Sequence, residues 1–281
     1  MDYPFFVNNF DRVKNHKTQF PAVSKIFEHP VSFWYGERNG KGCTDLHKGI
    51  NRLLTRALPQ LPVFVIYNLP SRDMGHYSKG GASNEEEYID FLFQFCNGIG
   101  EHSPIVIFEP DALPHSTLMD KEDREFRIKL MKHGLEVLTT HSNAIVYVDI
   151  GHSNWLEPDV AGKLINAVTN NHVRGFSVNV SNFRSTEESI KWALRLTEST
   201  SNKHFVIDTS RNGNGPYGND WCNPPGRALG IPPTCDTGVD QCDAFLWIKI
   251  PGESDGTGNG GPRAGRFWAE YGSGLVKNKR I

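Results

Sequence analysis

The sequence of 281 residues predicts an α/β protein built on a barrel of parallel strands. Seven short apolar runs are spaced along the chain, helical segments lie between most of them, and several runs end on an acidic residue. Buried parallel strands are apolar throughout, and strands that alternate with helices form parallel sheets. About seven such units suit a barrel better than an open sheet, and a barrel presents its chemistry at the carboxyl ends of its strands.

The seven apolar runs are the predicted strands. In chain order they are VSFWYG from Val31 to Gly36, VFVIYNLPSRD to Asp73, IVIFEPD to Asp111, AIVYVDIGH to His152, GFSVNVSN to Asn182, HFVIDTSR to Arg211 and AFLWIKIPGESD to Asp255. Four aspartates stand at or near the ends of these runs, namely Asp73, Asp111, Asp149 and Asp255. We expect them to face the mouth of the barrel.

Helical segments separate the runs. Leu46 and Ile50 recur at helical spacing, three glutamates at 85–87 suit a helix N-terminus, and Ser185 with Glu188 has the spacing of a capping box. The predicted helices are Asp45–Leu58, Asn84–Ile99, Asp120–Leu138, Pro158–Val168, Thr186–Thr197 and a last one that begins near Gly265 and contains Phe267, Trp268 and Tyr271.

Two loops rich in glycine interrupt this alternation. Residues 212–239 form a loop of about thirty residues, and long loops in compact domains are usually functional or disordered. Its tryptophan, cysteine and prolines favour an ordered, functional loop, whereas the glycines of residues 252–265 predict mobility. No domain linker is visible, so we expect one domain over residues 1–281.

Composition excludes several classes of protein. The formal net charge is −2 and charges of both signs are mixed along the chain, so a nucleic-acid partner is not expected. No apolar stretch reaches the about 18 residues of a membrane span, so no membrane association is expected. The N-terminus lacks a signal-peptide pattern, which fits a cytosolic protein or a chain numbered after a removed leader.

The five cysteines form no CxxC pair, so a zinc site is not expected. Cys96 lies in an apolar pattern and is predicted to be a buried thiol. Cys222, Cys235 and Cys242 crowd into a segment rich in turns, where a disulfide among them and free thiols both remain open.

Cofactor binding is not predicted either. His76, His115 and His152 follow strands, but their mixed spacing indicates hydrogen-bonding or loop roles rather than metal ligation. No glycine motif for phosphate follows a strand.

Asp73 and Asp111 close consecutive units, so their carboxyl groups are expected to be neighbours. Two nearby carboxylates cannot both ionise freely, and the raised pKa of one keeps a general acid protonated near neutral pH. Pro110 stiffens the segment before Asp111. Helix caps or loop salt bridges would explain one such aspartate, but not four at matching positions.

Aromatic side chains accompany these acids, and flat rings suit the C–H faces of sugars. They are Trp34, Tyr67, Trp155 and Trp221. Core packing is the alternative for each of them, least so for Trp221 in its polar loop. Lys249 and Glu253 flank Asp255 and could bind hydroxyl groups or form an ion pair with each other.

Seven motifs in order resemble glycoside hydrolase family 6, the cellulases that act on β-1,4-glucan. They are YNLPSRDMG, FEPDALPH, VDIGHSNW, NVSNF, IDTSRNGNGP, DWCNPPGRALG and FLWIKIPGESDG, and the resemblance runs from about Tyr3 to the last helix. It implies a distorted seven-stranded parallel barrel, similar to a TIM barrel, and hydrolysis with inversion at the anomeric carbon.

The resemblance also implies catalytic roles. Asp111 is similar to the general acid, Asp73 to the neighbour that raises its pKa and assists the water, and Asp149 to a further acid lining the site. Asp255 matches the residue often proposed as base. Arg211 and Lys249 near it would lower its pKa and weaken it, and a water relay ending at Asp73 is the alternative.

Substrate contacts follow from the same motifs. Tyr67 resembles the tyrosine beneath the sugar at the cleavage point. The expected binding residues are Trp34, Trp155 and Trp221 as stacking platforms, Lys249 and Glu253 at the adjacent glucose, and His152, Asn182 and Arg211 in their motifs.

The sequence departs from the family pattern at three places. Met74 stands where a cysteine is usual, the usual partner of Cys222 is missing, and the place of a serine in the water relay falls to either Ser78 or Lys79. The first departure removes a disulfide of the family, and the second would require Cys235 or Cys242 to replace the partner.

Loop length indicates the subclass. Only about ten residues separate Asp73 from the next predicted helix, and the loop after Asp255 is short, so we expect an open cleft and an endoglucanase. A cellobiohydrolase and a non-catalytic glucan-binding protein are the alternatives. Without a linker or carbohydrate-binding module, the expected partner is soluble or amorphous β-1,4-glucan, and the family implies a secreted protein, expected to be a monomer without cofactors.

Overall fold

The computed structural model of the protein describes residues 5–8, 16, 18–36 and 46–278. Tyr3 and Asp45, named above, and the fifth cysteine, Cys43, lie outside the described residues. Seven parallel strands form one sheet in chain order. They are β1 (Phe33–Tyr35), β2 (Val63–Ile66), β3 (Ile105–Phe108), β4 (Ile145–Asp149), β5 (Gly175–Val178), β6 (His204–Asp208) and β7 (Cys242–Leu246). The first six lie within the apolar runs that predicted them, and β7 begins at Cys242, two residues before its predicted run.

Helices connect the strands. They are α1 (Leu46–Ala57), α2 (Glu85–Ile99), α3 (Ala112–Ser116), α4 (Lys121–His141), α5 (Pro158–Val168), α6 (Thr186–Ser199) and α7 (Ala269–Lys277). The predicted cap is confirmed at α6, where the side chain of Ser185 accepts a hydrogen bond from the backbone amide of Glu188. Asn84 caps α2 in the same way and accepts from the amide of Glu87. No helix among the described residues is long and apolar enough to cross a membrane.

The predicted start of the last helix is wrong. The helix begins at Ala269 rather than near Gly265. Phe267 forms an antiparallel bridge with Glu253, so its backbone pairs with the loop before Asp255 instead of entering a helix. Trp268 follows in an extended conformation as the N-cap residue. Of the three aromatic residues expected in this helix, only Tyr271 lies in it.

The sheet curls into a distorted half-barrel, as the sequence predicts. Among the described residues no strand ladder joins β1 to β7, but hydrogen bonds cross the gap. The amide of Ser32 donates to the carbonyl of Trp247 at 3.2 Å, and the indole of Trp34 donates to that of Ile248 at 2.9 Å. The carboxyl ends of all seven strands therefore open at one end of the same curved sheet.

Both faces of the strands are buried, which explains their unbroken apolar sequences. Phe64 and Val106 point into the layer between sheet and helices, whereas Val65 and Ile107 fill the inside of the curl. All four are fully buried. This packing fixes the strand ends from which the site is built.

No disulfide forms among the cysteines that the structure describes: Cys96, Cys222, Cys235 and Cys242 are all free. The possibility of a bridge among the last three is therefore wrong. Cys222 packs against Gly258, and the thiol of Cys242 donates to the carbonyl of Ala244 at 3.7 Å. Cys96 is buried, as its apolar pattern predicts.

Candidate active site

The carboxylates closest to the strand ends do not face the cleft. Asp149, the last residue of β4, is fully buried and accepts hydrogen bonds from the amides of Asp111 at 2.8 Å and Gly151 at 3.1 Å. The hydroxyl of Ser177 donates to its other oxygen at 3.0 Å. The expectation that Asp149 lines the site is therefore corrected: it lies beneath the site and holds the backbone of Asp111.

Asp208, the last residue of β6, has the same kind of role two strands further along the sheet. It is fully buried and accepts hydrogen bonds from the amides of Ser181, Ser210 and Lys249, each at 2.9 Å. One carboxylate thus joins the segments that follow β5, β6 and β7. The sequence did not single out Asp208, although it ends an apolar run just as Asp149 does.

The acids that reach the cleft stand further along the chain. Asp73 lies in the 3-10 turn Asp73–Gly75, and Asp111 immediately precedes α3. Both have left-handed backbones, with φ of 57° and 67°. Such conformations cost free energy for residues other than glycine and cluster at functional sites.

Two cavities flank these aspartates. The first, of about 290 Å³, contains six predicted site residues: Asp73, Asp111, His152, Trp155, Asn182 and Trp221. It also contains four ionisable side chains that the sequence did not assign to the site, namely His76, His115, Arg184 and Asp220. The first cavity therefore combines ionisable groups with aromatic rings.

The second cavity, of about 340 Å³, contains four further predicted residues: Trp34, Tyr67, Lys249 and Glu253. The rings of Trp34 and Tyr67 meet edge to face with centroids 5.5 Å apart, and the guanidinium of Arg72 lies 4.6 Å from the Tyr67 ring centroid. Arg72, Lys79 and Arg263 add positive charge that the sequence did not assign to the site.

One aromatic contact stands between the two cavities. Tyr77 lines the second cavity and Trp221 the first, and their ring centroids are 6.0 Å apart. Tyr77 also packs on Gly256, where a Cβ atom would come within 2.3 Å of the ring. The loops that follow Asp73 and Asp255 therefore meet at Tyr77, and Gly256 is required for that approach.

The environment of Asp111 favours its protonated form. Burial raises its pKa well above the usual range, and the negative charges of Asp149 and Asp73 raise it further. Its Oδ1 is buried and makes no hydrogen bond within the part of the chain that the structure describes. A carboxyl group held in this way can donate a proton to a bound substrate.

Opposing influences act on the pKa of Asp73. Burial raises its pKa, whereas the amide of Ser78, which donates to Oδ2 at 2.7 Å, and the nearby His76 and Arg72 lower it. The net shift is upward. Asp73 is therefore a better proton acceptor than an ordinary exposed aspartate.

The pKa of Asp255 is shifted in the opposite direction to those of Asp111 and Asp73. Burial would raise its pKa, but Arg211 at 2.8 Å and Lys249 at 3.4 Å outweigh burial and lower it. The amide of Asn223 donates to the same carboxylate at 3.1 Å. Asp255 and the fully buried Arg211 line neither cavity. Lys249 thus pairs with Asp255, and the lowered pKa of Asp255 makes its carboxylate a weak base.

His115 and His152 in the first cavity are neutral near neutral pH. Burial, together with Arg127 and His76, lowers the pKa of His115 to about 4, and burial with Arg184 lowers that of His152 to about 4. Both rings approach Trp155, with centroids 5.0 and 5.6 Å away. Among the described residues, no group of three or more His, Cys, Asp or Glu side chains is placed to hold a metal ion.

The chain is similar to known glycosyl hydrolases. The family model of glycosyl hydrolases family 6 matches residues 7–279. Endoglucanase A of Cellulomonas fimi is 39% identical over 94% of this chain and 57% of its own length. Endoglucanase A of Thermobispora bispora is 42% identical over 91% of this chain and 58% of its own. The chain thus spans less than two thirds of these relatives.

One solved structure is similar to this chain over nearly the whole length of both proteins. The endoglucanase Cel6 from Mycobacterium tuberculosis, in complex with methyl-cellobiosyl-4-deoxy-4-thio-β-D-cellobioside, matches with a TM-score of 0.93 and 36% sequence identity. The match covers 98% of this chain and 97% of that one.

Proposed function

The chain belongs to the glycosyl hydrolases of family 6, and on this premise we propose that it hydrolyses internal β-1,4-glucosidic bonds of glucan chains with inversion of configuration. The observation that carries the proposal is the position of Asp111. Its protonated carboxyl group stands in the first cavity, beside a second cavity that contains Trp34 and Tyr67. A sugar chain bound across both cavities brings a glycosidic oxygen to this acid.

Asp111 is the general acid of this proposal. It protonates the leaving oxygen as the bond to the anomeric carbon breaks, and it becomes a carboxylate. Asp149 keeps its backbone in place through the amide hydrogen bond of 2.8 Å. Inverting hydrolysis needs a second carboxylate on the opposite face of the sugar to receive a proton from the attacking water.

We assign that proton to Asp73, directly or through a second water. Its raised pKa makes it the stronger acceptor, whereas Asp255 is bound by two cations. Asp255 remains ionised and holds Arg211 and Lys249 in place through its two ion pairs. Lys79 cannot replace a serine in a water relay, because an ammonium group donates and does not accept.

Substrate binding divides between the cavities. In the first, Trp155 and Trp221 offer flat surfaces for sugar rings, and His152 and Asn182 offer polar atoms. In the second, Trp34 and Tyr67 lie beneath the sugar at the cleavage point, with Lys249 and Glu253 for its hydroxyl groups. Arg211 acts through its ion pair with Asp255.

Action within chains is supported by the loops around the cleft. The segment after Asp73 reaches α2 at Glu85, and residues 256–265 contain only one short 3-10 turn. Tyr77 and Trp221 meet across the cleft, but both are about half exposed, so their contact is narrow. An internal segment of a glucan chain can enter such a cleft.

The relation between viscosity and bond cleavage tests this function. On carboxymethylcellulose we expect viscosity to fall steeply while few reducing ends appear, because internal cuts shorten the chains at once. Cellobiose as nearly the sole product, with viscosity preserved, would indicate a cellobiohydrolase. Binding of cello-oligosaccharides without any cleavage would indicate a non-catalytic glucan-binding protein.

We also propose a domain organisation, a substrate and a location for the enzyme. Segments that join or follow the strands of one sheet carry the site residues, which supports a single catalytic domain. We propose that this domain acts as a monomer. Soluble or amorphous β-glucan is the proposed substrate. Since that polymer lies outside cells, we propose that the protein is secreted.

A further inference from the structure

Glu109 is a fully buried carboxylate that the proposed reaction does not use. The amide of Asn68 donates to both of its oxygens, at 3.1 and 3.0 Å, and the amide of Leu69 donates to Oε2 at 3.0 Å. The hydroxyl of the fully buried Tyr88 lies beside it. The side chain therefore joins the exit of β3 to the exit of β2.

Asn68 and Leu69 are the base of the loop that carries Asp73. The amide of Ala82 donates to the carbonyl of Asn68 at 2.9 Å, so the loop returns to the residue from which it departs. Gly81 approaches so closely that a Cβ atom would lie 2.0 Å from the carbonyl oxygen of Leu69. Whatever fixes these two amides fixes both ends of the loop.

Glu109 also belongs to the turn that carries Asp111. Its φ is 49°, a left-handed value, and its amide donates to the carbonyl of Ile66 at 2.9 Å. The amide of Ala112 in turn donates to the carbonyl of Glu109 at 3.2 Å. The backbone of Glu109 therefore sets the direction in which Asp111 leaves the strand.

We propose that Glu109 is the positioning residue that fixes the separation and orientation of Asp73 and Asp111. Its side chain anchors the loop of the first aspartate and its backbone starts the turn of the second. The inference rests on the proposed function, since it assigns those two carboxyl groups to the reaction. Glu109 itself contacts neither substrate nor the reacting atoms.

A carboxylate suits this task better than any neutral side chain. Oε2 accepts from two consecutive amides, and Oε1 accepts a further hydrogen bond from the amide of Asn68. A glutamine would place its amino group at one of these oxygens, where it would face an amide donor. Burial raises the pKa of Glu109 to about 7 in spite of these hydrogen bonds, which shows that the buried charge is costly. A position needed only for packing would be filled more favourably by an apolar residue.

Kinetics of Glu109→Gln test the inference. We expect kcat on cellopentaose to fall about 10- to 100-fold with KM changed less than about threefold, since small displacements of catalytic groups have effects of this size. The alkaline limb of the pH profile should move to lower pH, because Asp73 would raise the pKa of Asp111 less from a greater distance. Glu101→Gln, an exposed change of the same type, is the matched control and should alter neither.

The outcomes separate positioning from simple stabilisation. If activity falls only in proportion to the folded fraction and the alkaline limb stays in place, Glu109 is merely structural and the inference is wrong. Should Glu109→Gln not fold, Arg127→Gln tests the same loop, because Arg127 donates to the carbonyl of Ser71 at 3.0 Å. That variant should shift the limb in the same direction, and an unmoved limb would overturn the inference. A wild-type protein that does not cleave glucan would instead refute the proposed function.

Discussion

Replacing Asp111 by Asn is expected to lower kcat/KM on unactivated cello-oligosaccharides by at least about 10³-fold, within the range that general-acid catalysis supplies. The amide cannot protonate the leaving oxygen. Asn tolerates left-handed backbone, so the turn with φ of 67° should survive and the melting temperature should change little. Circular dichroism and thermal unfolding verify the fold before rates are compared.

The choice of leaving group makes the Asp111→Asn result specific. A 2,4-dinitrophenyl β-cellobioside needs no proton on departure, so the variant should lose less than about tenfold on it, whereas the loss on cellopentaose should persist. Asp159→Asn, an exposed change on α5, serves as the control with normal rates on both. Equal losses on the two substrates, or a fully active variant, would rule out Asp111 as the acid.

Replacing Asp73 by Asn is expected to lower kcat on cello-oligosaccharides by about 10²-fold, because the attacking water loses the group that receives its proton. The pH profile carries a second effect. Asp73 raises the pKa of Asp111 when ionised, so removing its charge lowers that pKa, and Asp111 loses its proton at a lower pH. The alkaline limb should therefore move toward acid pH.

Rates across pH 4 to 9 for the wild type and Asp73→Asn measure both effects of that change. The activated substrate should not rescue this variant, in contrast to Asp111→Asn, since the water must still be activated. An alkaline limb that stays fixed would mean that Asp73 does not act on Asp111. A normal kcat would leave Asp255 as the base despite its two cations.

Strands and most helices could be predicted because burial dictates their sequences. Val63–Ile66 and Ile105–Phe108 are apolar throughout since sheet and helices cover both faces, and Ser185 with Glu188 announces α6 through a local hydrogen bond. The start of α7 could not be predicted, because a contact remote in sequence determines it. Phe267 pairs with Glu253, a residue remote in sequence, and no local pattern records such a bridge.

The division of labour among the acids could not be predicted from sequence. A carboxylate at a strand end can turn toward the cleft or sideways onto the amides of the neighbouring strand exit. Glu109, Asp149 and Asp208 take the second course and are fully buried. Asp73 and Asp111 stand past the strand ends and line the first cavity. The distance from the strand end, rather than the acid itself, distinguishes the two groups.

Contacts between loops could not be predicted from the sequence either. Tyr77 and Trp221 lie in segments far apart in the chain, and only the folded sheet brings their rings to 6.0 Å. Lys249 was expected to bind hydroxyl groups or pair with Glu253, and it pairs with Asp255 at 3.4 Å. The motif that contains both residues could not show which partner the side chain would choose.

The anomeric configuration of the first product tests the central claim most directly. Proton NMR of cellopentaose during the first minutes of hydrolysis distinguishes the new reducing end before mutarotation mixes the anomers. Direct attack by a water that loses its proton toward Asp73, with Asp111 as acid, predicts the α-anomer first. The β-anomer first would require a covalent glycosyl-enzyme, and it would contradict both inversion and the role assigned to Asp73.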